Sequence, residues 1–184
     1  WNFHEYEEGR FDFQGRRDLE AFLTLAEDLG LWIIARPGPY ICAEWDNGGL
    51  PPWLNAREGV RLRVANRVYH ECIRRWFEVV IPIIARRQVT RGGRVILVQV
   101  ENEYVFRNRP GGAEHLAFLA ELLSRLGIEV PLAACNFHYE RTPGAIECWN
   151  GWERPDKGIE RLRHIRPGAP ALITEFWDGR FDAW

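Results

Sequence analysis

Methionine is absent from the 184 residues, and the chain starts at Trp1. A chain of this kind is expected to be an internal piece of a longer protein. The lack of a leader at its start then leaves both a cytoplasmic and a secreted location open. No apolar run approaches the ~20 residues that cross a bilayer, so no membrane span is expected. Basic residues are not in excess. The net charge is −2, with acids and bases interspersed, which argues against a nucleic-acid-binding face. No strand-to-helix turn carries a glycine-rich phosphate loop, which disfavours a nucleotide-binding Rossmann domain. CxxC pairs are missing too. Cys42, Cys72, Cys135 and Cys148 stand far apart, so zinc has little support and isolated buried thiols are expected. A disulfide would require an oxidising compartment. The chain contains no Asn-x-Ser/Thr sequon, no low-complexity segment and no linker. One domain over 1–184, with no second domain, is the expectation; 46% hydrophobic residues supply its core.

What the chain does have is tryptophan, nine residues of it, mostly near turn signals as in "AEWDNGGLPPWL", "ECWNGWERP" and "TEFWDGRFDAW". Some must fill the core. Tryptophans in loops with Asn, Asp and Gly suit a wet site where rings stack on a ligand such as a sugar. The rest follows a recurring pattern of amphipathic helix, glycine and short apolar strand. "DLEAFLTLAEDLG" puts Leu19, Phe22, Leu23, Ala26 and Leu29 on one helix face, with Asp18 as N-cap and Gly30 as stop. "AEHLAFLAELLSRLG" repeats this with Leu116, Leu119, Leu123 and Leu126. A weaker copy runs "GIERLRHIRPG" into "ALITEF". Between them "NRVYHECIRRWFEVVIPIIARR" predicts a long helix, kinked at Pro82. Strands are expected near 31–36, 94–102, 130–135, 145–149 and 171–175, with a strand tail at 1–4. Helices alternating with continuous apolar strands mean βα units around a parallel sheet.

Every one of these strands ends in polar residues: Asn2, His4 and Glu5; Glu44 beyond "LWIIAR"; Glu101, Asn102 and Glu103; Asn136 and His138; Asn150; and Glu175. Chemistry at strand C-terminal ends marks a (β/α)8 barrel, although an open doubly wound sheet also places ligands there. As a TIM barrel, this chain would be incomplete, with the first and last strands missing.

Two carboxyl groups flanking one bond can hydrolyse a glycoside, one protonated to donate and one ionised to attack or to activate water. Glu103 and Glu175 are the best candidates, each at the end of an apolar strand beside an aromatic. From the residues alone a structural role for either stays open. Strand alternation puts Glu101 and Glu103 on the same side. Glu101 sits one step deeper and is read as a structural carboxylate paired with an arginine such as Arg36. Glu44 is a candidate for sugar hydroxyls, Asn102 for the 2-hydroxyl, and Trp177 for stacking on the ring. His4 and Glu5 are read as maintaining the strand end. His115 and His164 fall on helical stretches and are expected to be solvated. Asn136 and His138 are ambiguous.

At these residues the sequence resembles glycoside hydrolase family 35, the beta-galactosidases. "WNFHEYEEGRFDFQGRRDLEAFLTLAEDLGLWIIARPGPYICAEWDNGGLPPWL" is similar to that family's long N-terminal signature, "VQVENEY" to its acid/base motif and "TEFWDGRFDAW" to its nucleophile motif. The resemblance implies Glu103 as acid/base and Glu175 as nucleophile. It implies galactose contacts at Ala43, Glu44 and Asn102, and places Trp177 where the family has an aromatic near the nucleophile. A retaining exo-β-galactosidase with no metal or organic cofactor follows, its two carboxyl groups ~5–5.5 Å apart. The partner is then a β-galactoside substrate. The rivals are the same mechanism on another β-glycoside, such as a β-glucosaminide, and a non-catalytic carbohydrate-binding barrel. The chain departs from the family pattern at Tyr6, Val105 and Arg180, where proline, glycine and tryptophan are usual. Val105 and Arg180 adjoin the site and leave the preferred linkage open.

Overall fold

The computed structural model describes residues 1–106, 108–136, 140–152 and 154–179. Helix α1 (Leu19–Asp28) leads to strand β1 (Ile33–Ala35), and α2 (Arg67–Ala85) to β2 (Val95–Gln99). Helix α3 (Gly112–Arg125) leads to β3 (Leu132–Ala134). Strands β4 (Ala145–Glu147) and β5 (Trp149–Gly151) follow, then α4 (Pro155–Ile165) and β6 (Ile173–Phe176). Sheet order is β1-β2-β3-β4, with β5 paired to β6, and every pairing is parallel. The two sheets meet at Cys148. Its N–H donates to Ala134 in β3, and the next N–H, of Trp149, donates to Leu172 beside β6. Successive strands therefore lie side by side in chain order, as in a (β/α)8 barrel, and the described residues form an open arc of it.

Helix α2 holds this arc together. Asn66 caps its start by accepting from the Tyr69 N–H at 3.0 Å. Its buried residues are Tyr69, Cys72, Ile73, Trp76, Phe77, Val80, Ile81, Ile84 and Ala85, spaced by three and four along one face. Burying each large apolar side chain contributes ~1.5–3 kcal/mol. The helix runs through Pro82, three residues before its end, where the missing N–H leaves the Glu78 carbonyl without its i→i−4 donor. In α3, Leu116, Leu119 and Leu123 are buried as the spacing predicts.

Two expectations fail here. Asp18 does cap α1, accepting from Ala21 N–H at 2.8 Å, but only Leu23 of its apolar face is buried. Phe22 and Leu29 are each 67% exposed. The reason is position. Strand β1 is the edge of the arc, and among the described residues nothing packs beyond it. The tail at 1–4 is not a strand. It turns on itself, with the His4 and Glu5 N–H groups both donating to the Trp1 carbonyl. A strand needs a laddered neighbour, and none of the described residues provides one. Trp1 is instead buried, stacked on Trp76 at 6.1 Å and edge-on to Trp53.

Candidate active site

A cavity of about 390 Å³ opens where the strands end, within the range of small-molecule sites. Its lining is Arg36, Ile41, Cys42, Glu44, Asn102, Glu103, Trp152, Glu175 and Trp177. Glu103, Glu175, Asn102, Glu44 and Trp177 are thus brought together from separate elements. Ala43 is the exception. It lines the adjoining apolar cavity with Ile41 and Trp45, one residue away from both Cys42 and Glu44.

Glu175 sits in β6, with each oxygen engaged differently. Oε2 accepts the indole N–H of Trp177 at 2.9 Å. Oε1 lies 2.7 Å from Arg36 Nη1, a charge pair without hydrogen-bond alignment. Arg36 follows β1 directly, so this contact spans the arc from one edge strand to the other. Trp152 stands edge-on to Trp177 at 5.2 Å, and the two indoles give the cavity an aromatic wall.

Glu103 lies beyond the end of β2. Asn150, in β5, donates to its Oε1 at 3.1 Å. Burial pushes the Glu103 carboxyl above the ordinary value, and the charge of Glu175 adds to this. The Asn150 hydrogen bond and Arg36 work in the opposite direction without cancelling it. Asn102, which precedes Glu103 in the chain, is buried, and its Oδ1 accepts from Gln99 Nε2 at 2.9 Å. That contact occupies the amide oxygen and leaves the amide N–H₂ as the donor for a ligand.

Glu101 belongs elsewhere. Strand β2 stops at Gln99, and both Glu101 (φ 59°) and Glu103 (φ 46°) adopt the left-handed conformation, which costs energy in non-glycine residues. Period-two alternation no longer holds, and the two carboxyls part company. Glu101 is fully buried and accepts both arms of Arg63, at 3.1 and 2.9 Å. The partner is Arg63 rather than Arg36, which is committed to Glu175. The structural reading of Glu101 stands, with that correction. Arg63 also donates to the Asn102 carbonyl at 2.8 Å and lies 3.8 Å above the Tyr40 ring. It therefore braces the backbone that carries Glu103. His115 is a second correction. It is fully buried, with Nε2 3.4 Å from Glu101 and Nδ1 3.1 Å from His70. Its helix faces the strand end rather than solvent. Burial raises the cost of charge on Glu101, but His115 and Arg63 outweigh it and hold that carboxyl below the ordinary value.

In the loop carrying Cys42 and Glu44 the tightest glycine is Gly48. Gly48 has φ +62°, and a Cβ there would stand 2.0 Å from the Tyr40 ring. Glu5 is buried, accepting from Trp1 and Gly9 N–H, and His4 stacks on Phe13 at 4.5 Å; both hold the first turn in place. Asn136 is buried, accepting from Tyr104 N–H and donating to Thr142, and neither it nor His4 nor Glu5 lines the cavity. His164 is exposed on α4. Among the cysteines, Cys72, Cys135 and Cys148 are buried free thiols, while Cys42 is exposed at the cavity. His138 and Arg180 lie outside the described residues. Sequence reasoning missed Arg36, Trp152 and Asn150 as site residues. The signal for each was its place at a strand end or in the "WNGW" cluster.

The family model described as glycosyl hydrolases family 35 matches residues 1–184. The beta-galactosidase of Felis catus is 50% identical over 199 residues, covering 100% of this chain and 29% of that protein. Beta-galactosidase-1-like protein 3 of Rattus norvegicus is 42% identical over 188 residues, covering 100% of this chain and 30% of that protein. The chain thus spans under a third of the length of these relatives. Among solved structures, a psychrophilic glycoside hydrolase family 10 endo-beta-1,4-xylanase overlaps 95% of this chain at 15% identity and a TM-score of 0.45, too loose a likeness to argue from. The family match is of another order, because it takes in every strand and loop that builds the cavity: the chain belongs to glycosyl hydrolases family 35.

Proposed function

We propose that this chain carries the catalytic pair of a retaining β-galactosidase, which releases terminal β-D-galactosyl residues from β-galactosides. The observation that carries this reading is the pairing of two strand-end glutamates in opposed environments over one cavity. Glu103, with its pKa raised by burial, is suited to hold a proton. Glu175, facing Arg36 and the Trp177 indole, is suited to attack as a carboxylate.

In this mechanism the Glu175 carboxylate attacks the anomeric carbon. The bond to the leaving oxygen breaks, and that oxygen takes the proton of Glu103. A galactosyl ester forms on Glu175. Glu103, now a carboxylate, accepts a proton from water as the water attacks the same carbon, and Glu175 is released. Asn102 and Glu44 are the contacts for sugar hydroxyls, and Trp177 and Trp152 form the face for ring stacking. Ala43 lies behind the wall and acts through the loop. The naming of relatives as beta-galactosidases supports galactose as the sugar. The reaction calls on carboxyl groups and water alone, with no metal or organic cofactor.

The test uses the full-length protein. Glu175→Gly is expected to abolish cleavage of an aryl β-galactoside, and azide is expected to restore turnover with α-galactosyl azide as product. Glu103→Ala is expected to lose ~10²–10⁴-fold on substrates with poor leaving groups and to yield β-galactosyl azide. Full activity in Glu175→Gly, with no glycosyl azide, would exclude the nucleophile assignment. Galactose binding by calorimetry without any turnover in the unaltered protein would favour a non-catalytic sugar-binding barrel.

A further inference from the structure

Asn150 is 2% exposed and makes two hydrogen bonds, one through each end of its amide. The nitrogen donates to Glu103 Oε1 at 3.1 Å, and the oxygen accepts from the Thr174 hydroxyl at 2.6 Å. Thr174 immediately precedes Glu175 in β6, and Asn150 pairs in register with Glu175 across β5 and β6. The Glu103 carboxyl is therefore joined, through one amide and one hydroxyl, to the residue that precedes Glu175 in β6.

The orientation of that amide has a chemical consequence. Turned the other way, it would set its oxygen against Glu103 Oε1, two acceptors in contact whenever Glu103 is ionised. The Thr174 O–H, donating to Oδ1, holds the amide with its N–H₂ toward Glu103. Oε1 then stays an acceptor in both protonation states, and Oε2 is left to carry the proton. We propose that Asn150, held by Thr174, is a positioning residue that assigns the acid/base proton to Glu103 Oε2 and ties that carboxyl to the nucleophile strand. The inference rests on the reading of Glu103 as acid/base.

A donor to Oε1 stabilises the carboxylate over the acid. Removing it makes Glu103 harder to ionise, so the enzyme keeps its protonated acid to higher pH. Other groups also face Glu103: Glu175 from β6, Arg36 from the end of β1, Arg63 from the loop before α2, the Cys135 thiol beyond β3, and Glu44 across the cavity. All of them remain in the variants below, so a displaced limb reports the lost donor.

The experiment is the pH profile of kcat/KM on an aryl β-galactoside, in the full-length protein. Asn150→Ala is expected to move the basic limb upward by about one pH unit, the size of a lost charge-assisted hydrogen bond. Thr174→Val is expected to move it the same way by less, and Thr174→Ser to keep it in place. If Asn150→Ala does not fold, the two Thr174 variants carry the test alone. A fall in kcat/KM with unmoved limbs would make Asn150 merely structural and overturn the proposal, as would identical limbs in Thr174→Val and Thr174→Ser. If Glu103→Ala yields no β-galactosyl azide, the acid/base reading fails and this inference with it. If it does yield that product while the limbs stay put, only this inference fails.

Discussion

Glu101 and Glu103 stand two positions apart and have opposite tasks. Glu101 is fully buried, with its pKa pulled down through His115 and Arg63, and it holds the strand end. Breaking one side of a buried pair of this kind costs ~3–5 kcal/mol, because a charge is left without its partner. The sign of the pH dependence follows. A carboxyl whose folded pKa is depressed contributes stability above its unfolded value of 4.5, and that contribution is lost as pH falls through the folded pKa. Glu101→Gln is therefore expected to melt well below the unaltered protein at pH 7, with the gap closing on acidification below pH 4.5. Thermal denaturation across pH checks it, and a gap that persists at low pH would point to packing rather than charge. Val105, the departure from the family pattern beside the site, is 44% exposed and absent from the cavity lining. Nothing in the structure explains why valine stands there.

At the scale of the element, the loop from Pro37 to Leu50 and the end of β2 are locked together. Tyr40 of the loop lies under the Arg63 guanidinium, and Arg63 grips the carbonyls of Asn102 and Glu103. Gly48 is what lets Tyr40 lie there. Gly48→Ala would press a methyl into that ring in a conformation alanine resists. KM for an aryl β-galactoside is expected to rise about tenfold, as the loop bearing Cys42 and Glu44 shifts, with a smaller change in kcat. An unchanged KM would mean that the loop adapts without moving its cavity residues. Much at this scale was legible in the sequence. The cap at Asp18, the three-four spacing of α3 and the apolar strands are local features. Strand bounds read from apolar runs came out a residue or more too long at most ends, because pairing rather than hydrophobicity sets where a ladder stops.

The described residues form an arc whose two edge strands, β1 and β6, are each unpaired on one side among those residues. Phe22, Leu25, Leu29, Leu31, Trp32 and Ile34 are all exposed along the β1 edge. Such a surface, beside an unpaired strand, favours association. The 184-residue chain expressed alone is expected to aggregate or to melt without cooperativity. Size-exclusion chromatography with calorimetry checks this, and a soluble monomer with a sharp transition would refute it. Among the described residues no helix is long and apolar enough to cross a membrane.

The sequence by itself determined the alternation of helices and strands apart from the tail at 1–4 and the division of 145–149 between β4 and β5, the parallel arrangement, and the delivery of Glu103 and Glu175 to strand ends. Those features follow from periodicity, capping and strand polarity, which act over a few residues. Only the tertiary structure decided which acid meets which base. Arg63 reaches Glu101 from 38 positions away, Asn150 reaches Glu103 from 47, and Arg36 meets Glu175 from the opposite edge of the arc. The left-handed turns at Glu101 and Glu103 belong to the same class, since they are held by Arg63 rather than preferred by glutamate. A carboxyl group's role depends on its burial and on the charges around it. Both are properties of the surroundings that the fold assembles, so no local pattern encodes them.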